Sequence, residues 1–134
     1  MTPNGMRMIS VELSAVDDLT ATGAHTVADL PAQTVVLAAG VEVTEALAGA
    51  TALTFDVGTG LDDDEFVVAY AMASKSVGDV APSVPGIAYV GSADTLDVKV
   101  DTLTGTATAG KIRVWALLAD VDGKPAATAS RDNA

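Results

Sequence analysis

Apolar and polar residues alternate with a period of two through most of this chain, and that period belongs to strands with one buried face. Ile9, Val11, Leu13 and Ala15 alternate with Ser10, Glu12 and Ser14, and Asp17-Asp18 ends the run. A short strand is expected near Thr26–Leu30, stopped by Pro31. A longer one follows over Thr34–Ala46, with Val35, Leu37, Ala39, Val41 and Val43 on one face. Gly40 lies inside that run, where a glycine usually marks a bulge or bend. Ala52–Val57 is the next strand, ended by Gly58-Thr59-Gly60. Further strands are expected at Ile87–Val90, Leu96–Val100 and Lys111–Val121.

Two places are ambiguous. Asp62–Glu65 precede FVVAYAMAS, and acidic residues in a first turn with Lys75 near the end favour a short helix over about 62–74. Strand alternation of Phe66, Val68, Tyr70 and Met72 is the competing reading. The other place is Gly105–Lys111, which has the G-x-x-x-x-G-K spacing of a phosphate-binding loop. That loop needs Ser or Thr after the Lys and should open a helix, whereas Ile112 follows and a strand begins. A hairpin joining the last two strands, with Gly-Lys as its turn, fits better.

Several short strands and at most one short helix predict a mainly β protein, an antiparallel β-sandwich of jelly-roll type, with a barrel as the alternative. The domain is expected over residues 9–122, with an N-terminal arm at 1–8 and a flexible polar tail at 123–134.

Charge and composition remove several functions. With 18 acidic against 7 basic residues the net charge is −11, which disfavours nucleic acid and anionic membrane surfaces. No cysteine is present, so thiol chemistry and disulfides are ruled out. The N-terminal stretch lacks the apolar run of a secretory signal, and no apolar stretch is long enough for a membrane span, so use without Sec export is expected. Aromatic residues make up only 4% of the chain, so the core must be built from small and β-branched side chains.

Reaction chemistry has little to work with. The single histidine, His25, is expected in a loop with no second His, no Cys and no nucleophile motif nearby. Asp62, Asp63, Asp64 and Glu65 are the densest anionic cluster, but consecutive aspartates splay apart and lack the alternating order of a calcium loop. An ion site would need Asp56 or another loop. Neither a cofactor nor an essential metal is expected, nor any enzymatic activity.

Contact surfaces are better represented. On the last strand Val114, Ala116 and Leu118 fill a core, so Trp115, Leu117 and Ala119 face the other way while still being apolar. That face is either covered within the subunit or meets another subunit. Met6 and Met8 flank Arg7 and would share a face with Ser10 and Glu12; flexible methionines there suit a partner contact. Met6, Arg7, Met8, Trp115 and Leu117 are the candidate capsid or subunit interface residues, for the following reason.

Leu30–Val121 resembles a group of small structural proteins of tailed bacteriophages. The resemblance rests on the apolar strand with Val41–Ala46, the Val57-Gly58 strand end, the acidic Asp63–Phe66 turn and the Ala107–Val114 segment before the last strand. It implies a capsid decoration (cement) protein, bound to the major capsid protein on the outer virion surface after synthesis in the host cytoplasm. It also implies homotrimers and stabilisation of the shell. The alternatives are a carbohydrate-binding or host-adhesion module of a virion, which would need exposed aromatic platforms, and a small hydrolase, for which no constellation exists.

Overall fold

The computed structural model describes residues 5–81 and 88–120. Among the described residues nine strands run in chain order: β1 (Met6–Ser14), β2 (Gly23–Leu30), β3 (Thr34–Ala48), β4 (Ala52–Thr59), β5 (Val67–Ala71), β6 (Val80–Ala81), β7 (Ala88–Val90), β8 (Asp94–Thr104) and β9 (Ala109–Asp120). One 3-10 turn, Met72–Ser74, follows β5.

The strands form two antiparallel sheets. The first has the order β1-β9-β3-β6, with β7 also paired to β3, and the second has the order β2-β8-β4-β5. Pairing is nested: β1 with β9, β2 with β8, β3 with β6 and β7, and β4 with β5. A doubled chain rolled into two sheets in this way is the jelly roll, the expected fold class.

Between the sheets lies one apolar core. The first sheet contributes Val36, Ala39, Val41, Val43, Ile112, Val114, Ala116 and Leu118, and the second contributes Leu53, Phe55, Val57, Leu96, Val98 and Val100, all buried. Phe55 and Tyr70 pack with ring centroids 5.4 Å apart and planes tilted by 45°, a favoured aromatic geometry.

Several expectations about local structure are corrected here. Leu96–Val100 and Lys111–Val121 do not form a hairpin, because β8 and β9 lie in different sheets. Their connection is a corner, and it lies against a second corner between β3 and β4. Gly49 and Gly105 occupy these corners at φ +86 each, a left-handed conformation that disfavours any side chain. Thr108 N donates to Ala48 O at 2.8 Å and Thr51 N to Thr104 O at 2.9 Å, so each corner is tied to its neighbour. The turn falls at Gly105–Thr108, and Gly110-Lys111 already belongs to β9.

The expected helix over 62–74 is a loop, a strand and the 3-10 turn. Phe66, Val67, Tyr70 and Met72 are buried while Val68, Ala69 and Ala71 are exposed, a pattern that a bulge explains. Ala69 adopts φ +51, and its N–H donates to the Asp56 carboxylate at 2.6 Å where the β4–β5 register shifts. Pairing to β4 and burial of Phe66 against the core outweigh the helix-favouring charges.

The bulge expected at Gly40 sits instead at Leu37, between Val36↔Leu118 and Ala38↔Leu117. Val36 therefore points into the core in place of Val35 and Leu37, which are half-buried. His25 lies within β2, opposite Val98, rather than in a loop. The first strand also begins at Met6, so three residues assigned to the arm pair with β9. The assigned C-terminal tail, 123–134, lies outside the described residues.

Candidate interaction surface

The side chains of β9 divide between two faces. Ile112, Val114, Ala116 and Leu118 face the core, and Trp115, Leu117 and Ala119 face outward, half-buried. Antiparallel register then fixes their neighbours, because directly opposed residues share a face. Trp115 has Ser10 of β1 and Gly40 of β3 beside it, Leu117 has Met8 and Ala38, and Ala119 has Met6 and Val35. Four of the five candidate interface residues, Met6, Met8, Trp115 and Leu117, thus come together on one outer face. Arg7 does not join them: its parity is that of Leu118.

Gly40 explains why this face is smooth. A β-carbon there would stand 2.6 Å from Trp115 Cζ2 and 2.6 Å from Ala81 O. The glycine lets the indole lie down across β3, which covers part of the ring and leaves part of it in solvent. Met6 and Met8 are 68% and 60% exposed. Val80, opposite Glu42 on β6, extends the apolar stripe.

Charges on the first sheet are paired off. Arg7 Nη1 contacts both carboxylate oxygens of Asp120, at 2.8 and 2.9 Å. Arg113 Nη1 donates to Glu42 Oε1 at 3.1 Å, and Glu12 accepts from Thr44 Oγ1 at 3.1 Å. Exposed pairs of this kind contribute little to stability, but they leave the face close to neutral.

The outer face of the second sheet is the acidic one. Gly58 serves there as Gly40 does on the first sheet, except that a loop covers it. A β-carbon on Gly58 would meet Asp62 O and stand 2.7 Å from Asp63 O. Thr59 N donates to Asp62 O at 2.9 Å and Phe66 N to Val57 O at 2.9 Å, closing the loop over the sheet. This fold brings ligand atoms of Asp62, Asp63 and Asp64 within 4.8 Å of one another, so the three aspartates converge where they were expected to splay.

Lys99 answers part of that charge, with Nζ 3.0 Å from Asp63 Oδ2 and 4.0 Å from Asp101 Oδ1. Those neighbours hold its ammonium above the ordinary lysine range, the Asp63 hydrogen bond first. Burial raises the Asp56 carboxyl, and Asp101 adds to this, while the Ala69 N–H opposes it. Asp64 is raised chiefly by its hydrogen bond to Asp62, and Asp62 is lowered by the same contact. Glu65 is raised by burial and then by Asp62. Asp56 Oδ1 accepts from the Ala69 N–H at 2.6 Å and so holds the β5 bulge.

His25 Nε2 lies 2.8 Å from Ala21 O, an ordinary loop-anchoring contact. Phe55 and Phe66 are wholly buried and Tyr70 nearly so, so none of these three can present an aromatic platform to a sugar. Sequence reasoning found the apolar face through the surplus alternation on β9, but missed the role of Gly58. Its only local signal was a glycine placed between a strand end and an acidic run.

No protein-family model and no curated protein matches this sequence. Solved structures do match. A chain of the cyanophage Pam1 capsid asymmetric unit is 20% identical, aligned over 90% of this chain and 90% of that chain, with a TM-score of 0.68. A chain of the acidic stable capsid structure of Helicobacter pylori bacteriophage KHP30 is 12% identical over 86% and 87%, with a TM-score of 0.64. A chain of the Ralstonia phage GP4 capsid is 17% identical over 87% and 86%, with a TM-score of 0.60. Across nearly its whole described length, this chain has the fold of chains found in three bacteriophage capsids.

Proposed function

We propose that this protein is a structural component of a bacteriophage virion, and within that class a decoration or cement protein on the outer capsid surface. The observation that carries the reading is the two-sided coverage of the neighbours: nine-tenths of this chain aligns with nine-tenths of the Pam1 chain. The neighbour is thus a chain of about this length, a whole small jelly roll within a capsid rather than one domain of a large shell subunit.

The surface supports the same reading. A shell-binding module needs one face that can be desolvated cheaply and another that keeps it soluble before assembly. The first sheet supplies a near-neutral apolar face with Met6, Met8, Trp115 and Leu117, and the second supplies the acid. In this reading the first sheet meets the major capsid protein, and the second faces solvent. Burial of an exposed methionine stabilises a contact by about 1.5–3 kcal/mol, less the cost of ordering it. Arg7 acts through its own Asp120 by keeping β1 in place, not as a positive point offered to the shell. The protein acts by bracing neighbouring shell subunits without catalysis.

Virions imaged at subnanometre resolution with and without this protein test the proposal. Two-sheet densities of this size on the outer shell, lost when the protein is omitted, are the expected result. Virions whose purified particles lack the chain by peptide mass spectrometry would overturn it.

A further inference from the structure

The two sheets end in four edges, and three of these are blocked against further pairing. On the far side of β3, β6 and β7 are fragments of two and three residues. The β5 edge is five residues long, with left-handed Ala69 in it and the Ala69 N–H already bonded to Asp56. The β2 edge breaks register between Thr26 and Ala28. Short strands, bulges and strained residues are the devices by which sheets avoid edge-to-edge association.

The fourth edge, β1, has none of them. Its nine residues pair with β9 in nine consecutive steps without a register shift, and they include no Pro and no Gly. Its two charges do not guard the edge, because Arg7 is held by Asp120 and Glu12 accepts from Thr44. Ile9 and Val11, although of core-facing parity, remain half-buried where the sandwich opens at this edge.

We propose that β1 pairs antiparallel with β1 of a second copy of this chain, joining two first sheets across a twofold axis. The occupant is identified by self-complementarity. Continuity of faces requires that opposed residues have the same parity, and full overlap of Met6–Ser14 with itself then selects one register, centred on Ser10. In that register Ser10 opposes Ser10 of the second copy, Ile9 opposes Val11 twice, Arg7 opposes Leu13, and Met8 opposes Glu12. Aliphatic residues meet on the core side, and like charges never stand opposite one another, the arrangement that favours a strand pair. The strand is also neutral, Arg7 against Glu12, in a chain of net charge −11. An isologous contact of this kind satisfies both edges at once.

Because the chain has no cysteine, Ser10→Cys gives a register-specific test. Opposed Cα atoms in an antiparallel pair lie about 4.5–5.5 Å apart, within the span of a disulfide. Under mild oxidation the full-length S10C chain is expected to form a covalent dimer about tenfold faster or more than T26C, whose cysteine sits on the exposed, bulged β2 edge. The unaltered chain is expected to sediment as a dimer or an even-numbered assembly. Equal cross-linking rates for the two variants would overturn the pairing, and so would a strictly monomeric or trimeric unaltered chain. Either result leaves the capsid reading untouched, since that reading stands or falls on the presence of the chain in virions.

Discussion

The outer face of the first sheet carries Trp115, Leu117, Met6 and Met8 around Gly40, while the outer face of the second carries Asp56, Lys99 and Asp101 beneath a loop seated on Gly58. Both sheets contribute to the core, and each uses a glycine to admit a cover. The covers differ in kind. On the first sheet the Trp115 ring, beside a single carbonyl oxygen, lies over the glycine and leaves apolar surface partly in water; on the second, a loop of backbone lies over it and brings carboxylates together. The difference teaches that one fold can separate a contact face from a solubility face without changing its interior.

The largest expected effect follows from the rigid cover. Gly58→Ala places a β-carbon against backbone atoms of Asp62 and Asp63, which cannot rotate away, so a loss of about 3 kcal/mol or more is expected by urea unfolding. Gly40→Ala meets the Trp115 ring and Ala81 O. The ring can shift and only one backbone atom, Ala81 O, stands in the way, so the expected loss is smaller, about 1–2 kcal/mol. Adding W115A to G40A should recover part of it, because only the Ala81 contact remains. If the two glycine variants cost the same, the distinction between side-chain and backbone cover is wrong.

Attachment sharpens the comparison from the other side. The double variant M8E/L117E puts charge on the apolar face and is expected to weaken binding to stripped capsids at least about tenfold, roughly 1.4 kcal/mol. Leu61→Glu, at an 86% exposed position in the loop over the second sheet, should leave binding unchanged. Equal losses would mean that the loops, not the first sheet, grip the shell.

The acidic face should reveal itself in pH dependence. Asp56, Asp64 and Glu65 have folded-state pKa values raised above their ordinary values. The folded state therefore binds these protons more tightly than the unfolded chain, and stability from these groups rises as pH falls from neutral through the raised range. Asp62, which is lowered, acts oppositely, and its contribution is lost only further into acid. The melting temperature is expected to be higher at about pH 5 than at about pH 7, above the ordinary carboxylate range, and Asp56→Asn should flatten that slope. A melting temperature that falls between pH 7 and pH 5 would contradict the assignment. The smallest effect belongs to Lys99→Met. Its exposed contacts with Asp63 and Asp101 contribute little to stability, and added salt should shrink the difference.

Period-two alternation determined the long strands, though not β5 or β6, and the two-faced character of β9, because side-chain direction in a strand is fixed by the backbone and needs no partner. It also gave Met6 and Met8 an outward direction, but only the pairing of β1 with β9 set them beside Leu117 and Trp115. Tertiary structure alone decided which strand meets which. The Gly105–Thr108 connection reads the same whether it folds β8 onto β9 or carries the chain to the other sheet. The choice was made by pairing of β9 with β1 and β3, between residues 61 to 113 positions apart in sequence. The short run after Asp62 fits a helix or a strand equally well by charge and period, and burial of Phe66 with the Asp56 bond to Ala69 settled it. Gly40 looked like a bulge because a glycine in a strand leaves the same local signature whether it bends the backbone or makes room for a ring. Sequence fixes direction residue by residue, but the space around a residue is set by chain that is distant in sequence.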